Sequence, residues 1–333
     1  MRYTQRDFNG ATILITGGAG FIGSNLAFYF QENYPQAKVI VLDIFRTGEC
    51  FENGNLKSFG HFKNLLGFKG SILCVDITKD ETYEMLREYQ FDYIFHQAAI
   101  SDTTVQNQSI MMETNVNAFR SLLEMAVEMK ATVVYASSAA TYGGSDTFQI
   151  GCESPNNIYG FSKLMMDNLA VEYHTKIKVV GLRYFNVYGA REFFKEKTAS
   201  MILQFGLQLL SGKPATLFEG SEKILRDFIY IEDVIQANIK ACDAQNSGVY
   251  NVGTAKARSF QDIVHILKEK LGIQREDNYI PNPYIGSYQF FTEANIERTQ
   301  ESLGYEPHFS LEDGIEAYLL EIKRLFQEEV RGK

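Results

Sequence analysis

A tyrosine and a lysine stand four residues apart in the segment NNIYGFSKLMMD, as Tyr159 and Lys163. If this segment is helical, both side chains lie on one face of the helix. A tyrosine with the ordinary pKa of about 10 is a poor base at neutral pH, but a neighbouring lysine cation favours the phenolate. Such a phenolate can remove the proton of a substrate hydroxyl. Ser138 ends the apolar run TVVYASS and supplies a hydroxyl for the same reacting oxygen.

When a base removes the proton of a substrate hydroxyl, a cofactor can take a hydride from the same carbon. A glycine-rich turn near the N-terminus indicates such a cofactor. The segment ILITGGAGFIGSN places Gly17, Gly20 and Gly23 after an apolar run, and Gly18, Gly20 and Gly23 satisfy the pattern G-x-G-x-x-G. The first glycine permits a tight turn, the middle one lets the backbone approach a pyrophosphate, and the last permits close helix packing. Asp43 ends the next apolar run, where an acid accepts hydrogen bonds from an adenosine ribose. The motif predicts a dinucleotide site.

The ends of the following strands complete this predicted site. Asp76 and Ile77 come after the third apolar run and would flank the adenine, whereas residues 97–101 follow the fourth and would border the ribose and nicotinamide. Asp43 favours NAD because a carboxylate repels a 2′-phosphate, but Arg46 can pair with that phosphate. The sequence therefore leaves NAD and NADP as alternatives.

The elements that must position these residues alternate between short apolar runs and helical stretches. We expect a Rossmann-type, doubly wound parallel sheet over residues 1–190, and a smaller α/β substrate-binding lobe over most of residues 191–333. The segments FIYIEDV and VYNVG, within about residues 228–255, are expected to return to the main sheet. A helix is predicted from Thr198 to Leu210, and the long connection from Thr47 to Gly70 is predicted to lie beside the cofactor.

Composition excludes several classes of function. The net charge of −9 and pI near 5.2 argue against nucleic acid as a partner, because phosphate backbones attract basic surfaces. The four cysteines and five histidines are scattered without metal-ligand spacing, so no metal is expected. No apolar run approaches the length of a membrane span, and a cytoplasmic protein is predicted.

Four ordered motifs, TGGAGFIGS, YASSAATYG, YGFSK and RDFIYIEDV, resemble the extended short-chain dehydrogenase/reductase superfamily over nearly the whole chain. The resemblance implies Ser138, Tyr159 and Lys163 as the catalytic trio, and Asn115 as a residue near the cofactor. The predicted cofactor-binding set is Gly17, Gly20, Phe21, Ile22, Gly23, Asp43, Ile44, Arg46, Asp76, Ile77, Gln97, Ala98, Ala99, Ser101, Asn115, Tyr159, Lys163 and Val187.

More specific segments narrow this resemblance. Ala139 and Ala140 follow Ser138, where sugar-nucleotide 4,6-dehydratases carry an acidic pair, so dehydration is not expected. The segments SDTT, IMMETN, YASSAATYGG, RYFNVYG, LFEGSEKILRDF and YQFFTEA resemble the ADP-L-glycero-D-manno-heptose 6-epimerase family. That resemblance implies oxidation of C6 of ADP-heptose to a ketone and reduction from the opposite face, for lipopolysaccharide core assembly. It also implies Lys195 as a second base, the alternative being an exposed member of the charge run KEK.

The same resemblance implies a set of substrate-binding residues. Arg226 also has an independent rationale, because its planar fork of donors suits a diphosphate. Three positions depart from the family pattern: Cys50 replaces a lysine, Lys197 a serine and Gln204 a histidine. The predicted set is Ser138, Asn186, Lys197, Gln204, Phe218, Glu219, Gly220, Ser221, Arg226 and Tyr288.

Two other functions remain as alternatives at this point. One is another nucleotide-sugar epimerase, such as a UDP-hexose 4-epimerase, which differs in substrate but not in hydride chemistry. The other is a non-catalytic protein that senses nicotinamide nucleotides, although such a binder has no chemical need for Ser138, Tyr159 and Lys163. The superfamily resemblance also implies a homo-oligomer, formed through the predicted helix from Gln106 to Lys130 and the Tyr159 helix.

Overall fold

A computed structural model of the chain describes residues 1–282 and 290–331. The strands in chain order are β1 Thr12–Thr16, β2 Lys38–Asp43, β3 Ser71–Cys74, β4 Tyr93–His96, β5 Thr132–Ser138, β6 Val179–Tyr184, β7 Asn186–Tyr188, β8 Thr216–Phe218, β9 Leu225–Tyr230, β10 Gly248–Val252, β11 Ala257–Ser259 and β12 Asn278–Ile280. The helices are α1 Phe21–Asn33, α2 Asp80–Leu86, α3 Gln108–Met112, α4 Ala118–Met129, α5 Ile158–Val171, α6 Met201–Leu210, α7 Ile231–Ala241, α8 Phe260–Leu271, α9 Glu297–Leu303 and α10 Leu311–Leu325.

Seven strands form one parallel sheet in the order β10-β6-β5-β4-β1-β2-β3. Neighbouring residues of β1 face opposite sides, so Leu14 belongs to one cluster of buried apolar side chains, whereas Ile13 and Ile15 belong to another. Helices α1 and α7 pack together, as do α4 and α5. The predicted Rossmann-type fold is confirmed.

The strand order reverses between β1 and β4, because the chain runs from β1 outward to β3 and then returns to β4. In open parallel sheets the crevice at such a point, beyond the carboxyl ends of the strands, is where ligands bind. Both Gly17 and Gln97 follow strands at this point, and Asp43 ends the next strand outward. The topology therefore brings the predicted cofactor motifs to one edge.

The C-terminal part of the chain forms a smaller α/β unit beside the sheet. Helices α6, α8 and α10 pack against one another, and the short strands form a sheet of order β11-β9-β7 and a pair of β12 with β8. One cluster of buried apolar side chains includes both Ile13 of the main sheet and Ile322 of α10. The two parts therefore share a core, and the boundary near residue 190 stays a prediction.

Two predictions about individual elements need correction. The segment VYNVG does return to the main sheet as β10, but the strand of FIYIEDV does not, because β9 pairs with β7 and β11 instead. The helix of that segment, α7, packs against α1 and β6 of the main domain. The helix predicted to begin at Thr198 begins at Met201, since Ser200 caps it by accepting a hydrogen bond from the backbone N–H of Leu203.

Among the described residues, no helix is both long and apolar enough to cross a membrane.

Candidate active site

A cavity of about 600 Å³ lies along the carboxyl ends of β1, β2, β4 and β5. Most of the predicted cofactor residues lie there, together with all four predicted catalytic residues. The predicted residues that line it are Gly17, Gly20, Phe21, Ile22, Gly23, Asp43, Ile44, Asp76, Ile77, Gln97, Ala98, Ala99, Ser101, Ser138, Tyr159, Lys163, Val187 and Lys195.

The glycine turn between β1 and α1 has no room for side chains. Gly17 has a φ of +67°, and a Cβ on it would lie 2.7 Å from the backbone nitrogen of Ala98. A Cβ on Gly23 would lie 2.3 Å from the carbonyl oxygen of Gly17, so α1 passes directly against the turn. Gly20 caps α1, and the first turn of that helix opens into the cavity. The turn thus fits a pyrophosphate at a helix N-terminus.

Asp43 lies at the far end of this turn, with its carboxylate almost wholly buried. It accepts hydrogen bonds from the backbone N–H groups of Ala19 and Phe45, both at 2.9 Å. Burial raises the pKa of Asp43, and these backbone donors oppose that rise. The chain folds back over the carboxylate at Gly60, where a Cβ would lie 2.1 Å from Oδ1. The position suits an acceptor for ribose hydroxyls.

Tyr159 and Lys163 lie one turn apart on α5, and Asn157 caps this helix by accepting from the N–H of Gly160 at 2.8 Å. The ammonium of Lys163 lies 5.9 Å from the centre of the Tyr159 ring and donates to the carbonyl of Ala136 at 2.7 Å. That carbonyl belongs to β5, the strand that ends at Ser138. The β5 strand thus holds the lysine at the tyrosine, as the spacing predicts.

The pKa values of this group reflect its burial. Burial raises the pKa of Tyr159, and a hydrogen bond from the Ser138 hydroxyl opposes the rise. Burial also lowers the pKa of Lys163 to about 8, whereas the negative charge of Asp167 acts in the opposite direction. Burial outweighs this hydrogen bond, so the pKa of Tyr159 lies above its ordinary value and not below it. A nicotinamide cation would add positive charge beside the phenolate.

A buried network of charged side chains lies next to Lys163, between α5 and the sheet. Asp167, one turn further along α5, receives hydrogen bonds from Tyr135 and Ser137 of β5 at 2.9 and 3.0 Å. The guanidinium of Arg183, on the adjacent β6, contacts Asp167 at 2.8 Å and Glu153 at 2.6 Å. Each charge of the network has a partner, as buried charges require. The network fixes α5 on the sheet and supplies a negative charge that opposes the lowering of the Lys163 pKa by burial.

Asp167→Asn is expected to move the alkaline limb of the pH–rate profile to lower pH. The neutral amide removes the charge that opposes burial, so the pKa of Lys163 falls below about 8 and the ammonium is lost at lower pH. The rate of cofactor reduction is measured between about pH 6 and pH 10, a range that includes the Lys163 pKa of about 8. The pH at which the rate falls on the alkaline side shows the shift. Glu153→Gln is the matched control, because it removes a charge from the same arginine. An unmoved limb in a folded Asp167→Asn protein would contradict this coupling.

Lys195 lies in a turn at Phe193–Thr198 and differs from its charged neighbours. Its amine faces the cavity, 5.7 Å from the centre of the Phe21 ring, whereas the side chains of Glu196 and Lys197 are exposed. Burial lowers the pKa of Lys195, and the buried carboxylate of Glu192 opposes that effect. An amine with a lowered pKa is better suited to accept a proton near neutral pH.

Several other predicted residues lie outside the lining of this cavity. Asn115 is buried between the loop after β4 and α5, where it pairs with the backbone of Ile100 and with Ser162. Arg46 turns towards the segment that carries Lys195. Lys197 and Asn186 are exposed, and the amide of Gln204 donates to backbone carbonyls.

The remaining predicted substrate residues lie together at the turn between β8 and β9. Phe218 ends β8, Glu219 and Gly220 are exposed, and the hydroxyl of Ser221 is buried with no hydrogen-bond partner among the described residues. Arg226 is buried on β9 and donates to the carbonyl of Leu225 at 2.8 Å. This group does not line the 600 Å³ cavity. Tyr288 lies outside the described residues.

Other residues line the cavity without having been singled out from the sequence. The connection from Thr47 to Gly70 does lie beside the cavity, which it lines from Glu49 to Gly60. Thr78, Lys79, Glu113, Thr114 and Tyr184 also line it. Lys79 and Thr78 follow directly after the predicted Asp76 and Ile77, so extending that loop by two residues would have found them. Tyr184 carries no comparable signal, because it reads as an ordinary strand residue.

The sheet order, the glycine turn and the set of Ser138, Tyr159 and Lys163 define a nicotinamide-dependent enzyme of Rossmann fold. The model of the family described as NAD dependent epimerase/dehydratase matches residues 13–253. The chain therefore belongs to this family, and the superfamily resemblance and the enzyme class predicted from its motifs are confirmed.

Solved structures of epimerases resemble the whole chain. Helicobacter pylori ADP-L-glycero-D-manno-heptose-6-epimerase is 54% identical, with 97% of this chain and 99% of that chain covered and a TM-score of 0.90. The UDP-glucose 4-epimerase of Thermotoga maritima, with UDP-glucose, is 27% identical over 95% of this chain and 100% of that chain, with a TM-score of 0.83. The UDP-glucuronic acid 4-epimerase of Bacillus cereus, in complex with UDP-glucuronic acid and NAD, is 27% identical over 94% and 99%, with a TM-score of 0.80.

Proposed function

We propose that this protein epimerises ADP-D-glycero-D-manno-heptose to ADP-L-glycero-D-manno-heptose at C6, a reaction that serves lipopolysaccharide core assembly. The observation that carries the proposal is the 54% identity to the heptose epimerase, which extends over 97% of the chain, compared with 27% for the hexose epimerases. The placement of Tyr159 and Lys195 in one cavity supports it, because inversion requires proton handling on both sides of the reacting carbon.

In this proposal the residues of the chain bind the dinucleotide and move protons. The glycine turn holds the pyrophosphate, and Asp43 accepts from the ribose. The bound nicotinamide ring supplies the chemistry of accepting hydride from C6 and returning it. Tyr159, assisted by Ser138 and the Lys163 ammonium, takes the hydroxyl proton on one face, and Lys195 serves the other face. We propose that Arg226 binds the diphosphate, because its fork matches two phosphate oxygens.

The direct test is incubation of the purified protein with ADP-D-glycero-D-manno-heptose, with inversion at C6 followed by proton NMR. UDP-glucose is the parallel substrate, because the hexose epimerases share the fold and the hydride chemistry. Conversion of the heptose alone supports the proposal. Conversion of UDP-glucose alone would reassign the protein to the hexose 4-epimerases, and no conversion of either would favour a nicotinamide-sensing binder.

For the cofactor we propose NAD rather than NADP. The buried carboxylate of Asp43 would repel a 2′-phosphate, and Gly60 already lies against it. Arg46, the neighbouring cation, does not offset this repulsion, because it donates to Glu196 and to the carbonyl of Phe194. We expect NAD to bind at least about tenfold more tightly. Placing the 2′-phosphate of NADP beside the buried carboxylate of Asp43 costs more than about 1.4 kcal/mol of binding free energy. Calorimetric titration of the two dinucleotides measures the ratio, and tighter binding of NADP would refute this preference.

We also propose a homo-oligomer formed through α4 and α5. The observation that supports it is the exposure of two large apolar side chains on α5, Phe161 at 40% and Val171 at 60%. Helices that leave apolar side chains in water commonly bury them against another chain. Sedimentation equilibrium of the parent protein and of a Phe161→Glu variant tests this, since a monomer in both would contradict it.

A further inference from the structure

The turn that carries Lys195 is anchored firmly at its two ends. Glu192 is fully buried just before the turn, and its carboxylate accepts from the N–H of Gly189 at 3.1 Å. The same carboxylate accepts from the N–H and the hydroxyl of Ser200, both at 2.7 Å, just after the turn. These bonds fix where the turn begins and ends. They leave the conformation of its middle, Phe194 to Lys197, to other contacts.

Arg46 holds that middle part from the cofactor side. Its guanidinium donates to the carboxylate of Glu196 at 2.9 Å and also to the carbonyl of Phe194. These two acceptors belong to the residues on either side of Lys195. The ring of Phe194 is stacked on His61 with centres 3.7 Å apart and parallel planes. Within the turn, Thr198 donates to the carbonyl of Lys195 and Gln204 to that of Lys197. Arg46 and His61 add the contacts that reach the turn from the chain segments around the cofactor pocket.

The backbone of Glu196 shows that this hold opposes a local strain. Glu196 has φ 54° and ψ −120°, a backbone conformation that residues other than glycine seldom adopt. Such a conformation persists only where surrounding contacts enforce it. The side chain of Glu196 contacts the Arg46 guanidinium at 2.9 Å, which ties the strained position to a side chain that is only 23% exposed. An ordinary surface ion pair has neither feature.

The backbone of Arg46 is fixed at the ribose side of the cavity. Arg46 stands three residues after Asp43, and its backbone N–H donates to the carbonyl of Gly60 at 2.9 Å. Gly60 in turn lies against the Asp43 carboxylate. Any movement of Arg46 would therefore disturb both the ribose pocket and the turn of Lys195.

We propose that Arg46 is a positioning residue for Lys195, which it keeps facing the cavity by holding Phe194 and Glu196. This inference deepens the proposed function and rests on the role proposed there for Lys195. The step it supports is proton transfer at the second face of the reacting carbon. Because a displacement of about 1 Å at a reacting group can cost about 100-fold in rate, the contacts of Arg46 have kinetic consequences.

Arg46→Ala is expected to lower kcat for heptose epimerisation by about 10- to 100-fold at saturating NAD, with a smaller change in KM. Arg46→Lys keeps the charge for Glu196 but not the fork, so it should recover part of the rate. Glu196→Ala should resemble Arg46→Ala, and the double variant should be no slower than either single one, because both remove one contact. Arg87→Ala, which breaks an exposed ion pair with Glu128, is the matched control and should leave kcat unchanged.

A second measurement does not depend on the substrate. Trace acetylation with acetic anhydride, read by peptide mass analysis, reports the accessibility and basicity of the Lys195 amine in each variant. We expect Lys195 to react at least about threefold faster in Arg46→Ala than in the parent, and equally in Arg87→Ala, once each rate is corrected for the neutral fraction of the amine from the pH dependence of labelling, because the freed turn exposes the amine. Unchanged labelling of Lys195 overturns the proposal, as does changed labelling with unchanged kcat. If the parent converts no heptose, the proposed function fails while the labelling result still decides whether Arg46 positions Lys195.

Discussion

Tyr159→Phe is expected to lower the rate of heptose epimerisation by about 10²- to 10⁴-fold while NAD binding stays close to that of the parent. The phenolic oxygen is the group that accepts a hydrogen bond from Ser138 and lies beside the Lys163 ammonium. Removing a general base of this kind typically costs that factor. The aromatic ring and its packing against the buried cluster of Ile100, Val105 and Met111 are retained, so the fold and the pocket should survive. Proton NMR of C6 inversion gives the rate, and calorimetry gives NAD affinity.

Tyr173→Phe provides the matched control for this variant. Tyr173 follows directly after α5 in the chain, its ring is buried, and it does not line the cavity. The same loss of one hydroxyl should therefore leave the rate within about twofold, since it removes no group from the reacting centre. If Tyr159→Phe and Tyr173→Phe both turned over at the parent rate, the role proposed for Tyr159 would fail. Another group would then have to take the hydroxyl proton.

The main sheet was predictable because its strands carry strong local signals. The runs ATILIT and KVIVLD are apolar, β-branched and bounded by turn residues, and they form β1 and β2 as expected. The strand DFIYI carries the same signal, yet β9 lies in a separate small sheet. Local pattern identifies a strand but not its neighbours. For β9 those neighbours depend on β7, which contains only Asn186–Tyr188 and could not be recognised by periodicity.

The candidate site divides in a similar way. Residues that follow parallel strands, such as Gly17, Asp43 and Gln97, could be placed together because carboxyl ends of parallel strands meet at one edge. Arg46 was assigned to the cofactor for its distance from Asp43 in the chain, but its guanidinium contacts Phe194 and Glu196. Its partner lies 150 residues away, so no local pattern could reveal the contact. Long side chains in loops choose partners that only the tertiary structure brings near.

The network below the catalytic helix illustrates a further limit. Asp167 and Arg183 each read as an ordinary polar residue in an apolar segment, where a charged side chain is usually exposed. Both are buried because α5 lies directly on β5 and β6, and each neutralises the other. Their value to the chemistry is indirect, since the charge of Asp167 affects the pKa of Lys163. A sequence pattern can identify the lysine, but the charge that raises its pKa against the effect of burial becomes visible only in the packed structure.

Lys195→Ala is expected to fold, to bind NAD and to lose about 10²- to 10⁴-fold in epimerisation rate, because it removes the base proposed for the second face. Burial lowers the pKa of this lysine, so a larger share of the amine is neutral near pH 7 than for an exposed lysine. Lys213→Ala is the matched control, since the side chain of Lys213 is exposed and does not line the cavity. Its rate should stay within about threefold of the parent. Equal rates for the two variants would place Lys195 among the surface charges.

A single-turnover experiment separates the two bases more sharply than the overall rate. Each face of the reacting carbon has its own base in this proposal, so removing one base should spare the oxidation of one epimer. Lys195→Ala should still reduce bound nicotinamide with the epimer that Tyr159 serves, and Tyr159→Phe with the other, as followed by the absorbance of the reduced ring. Because neither variant can complete the inversion, both should accumulate reduced cofactor or return the starting epimer. The same preference in both variants would mean that one group handles both protons, and Lys195 would then act on the nucleotide rather than on C6.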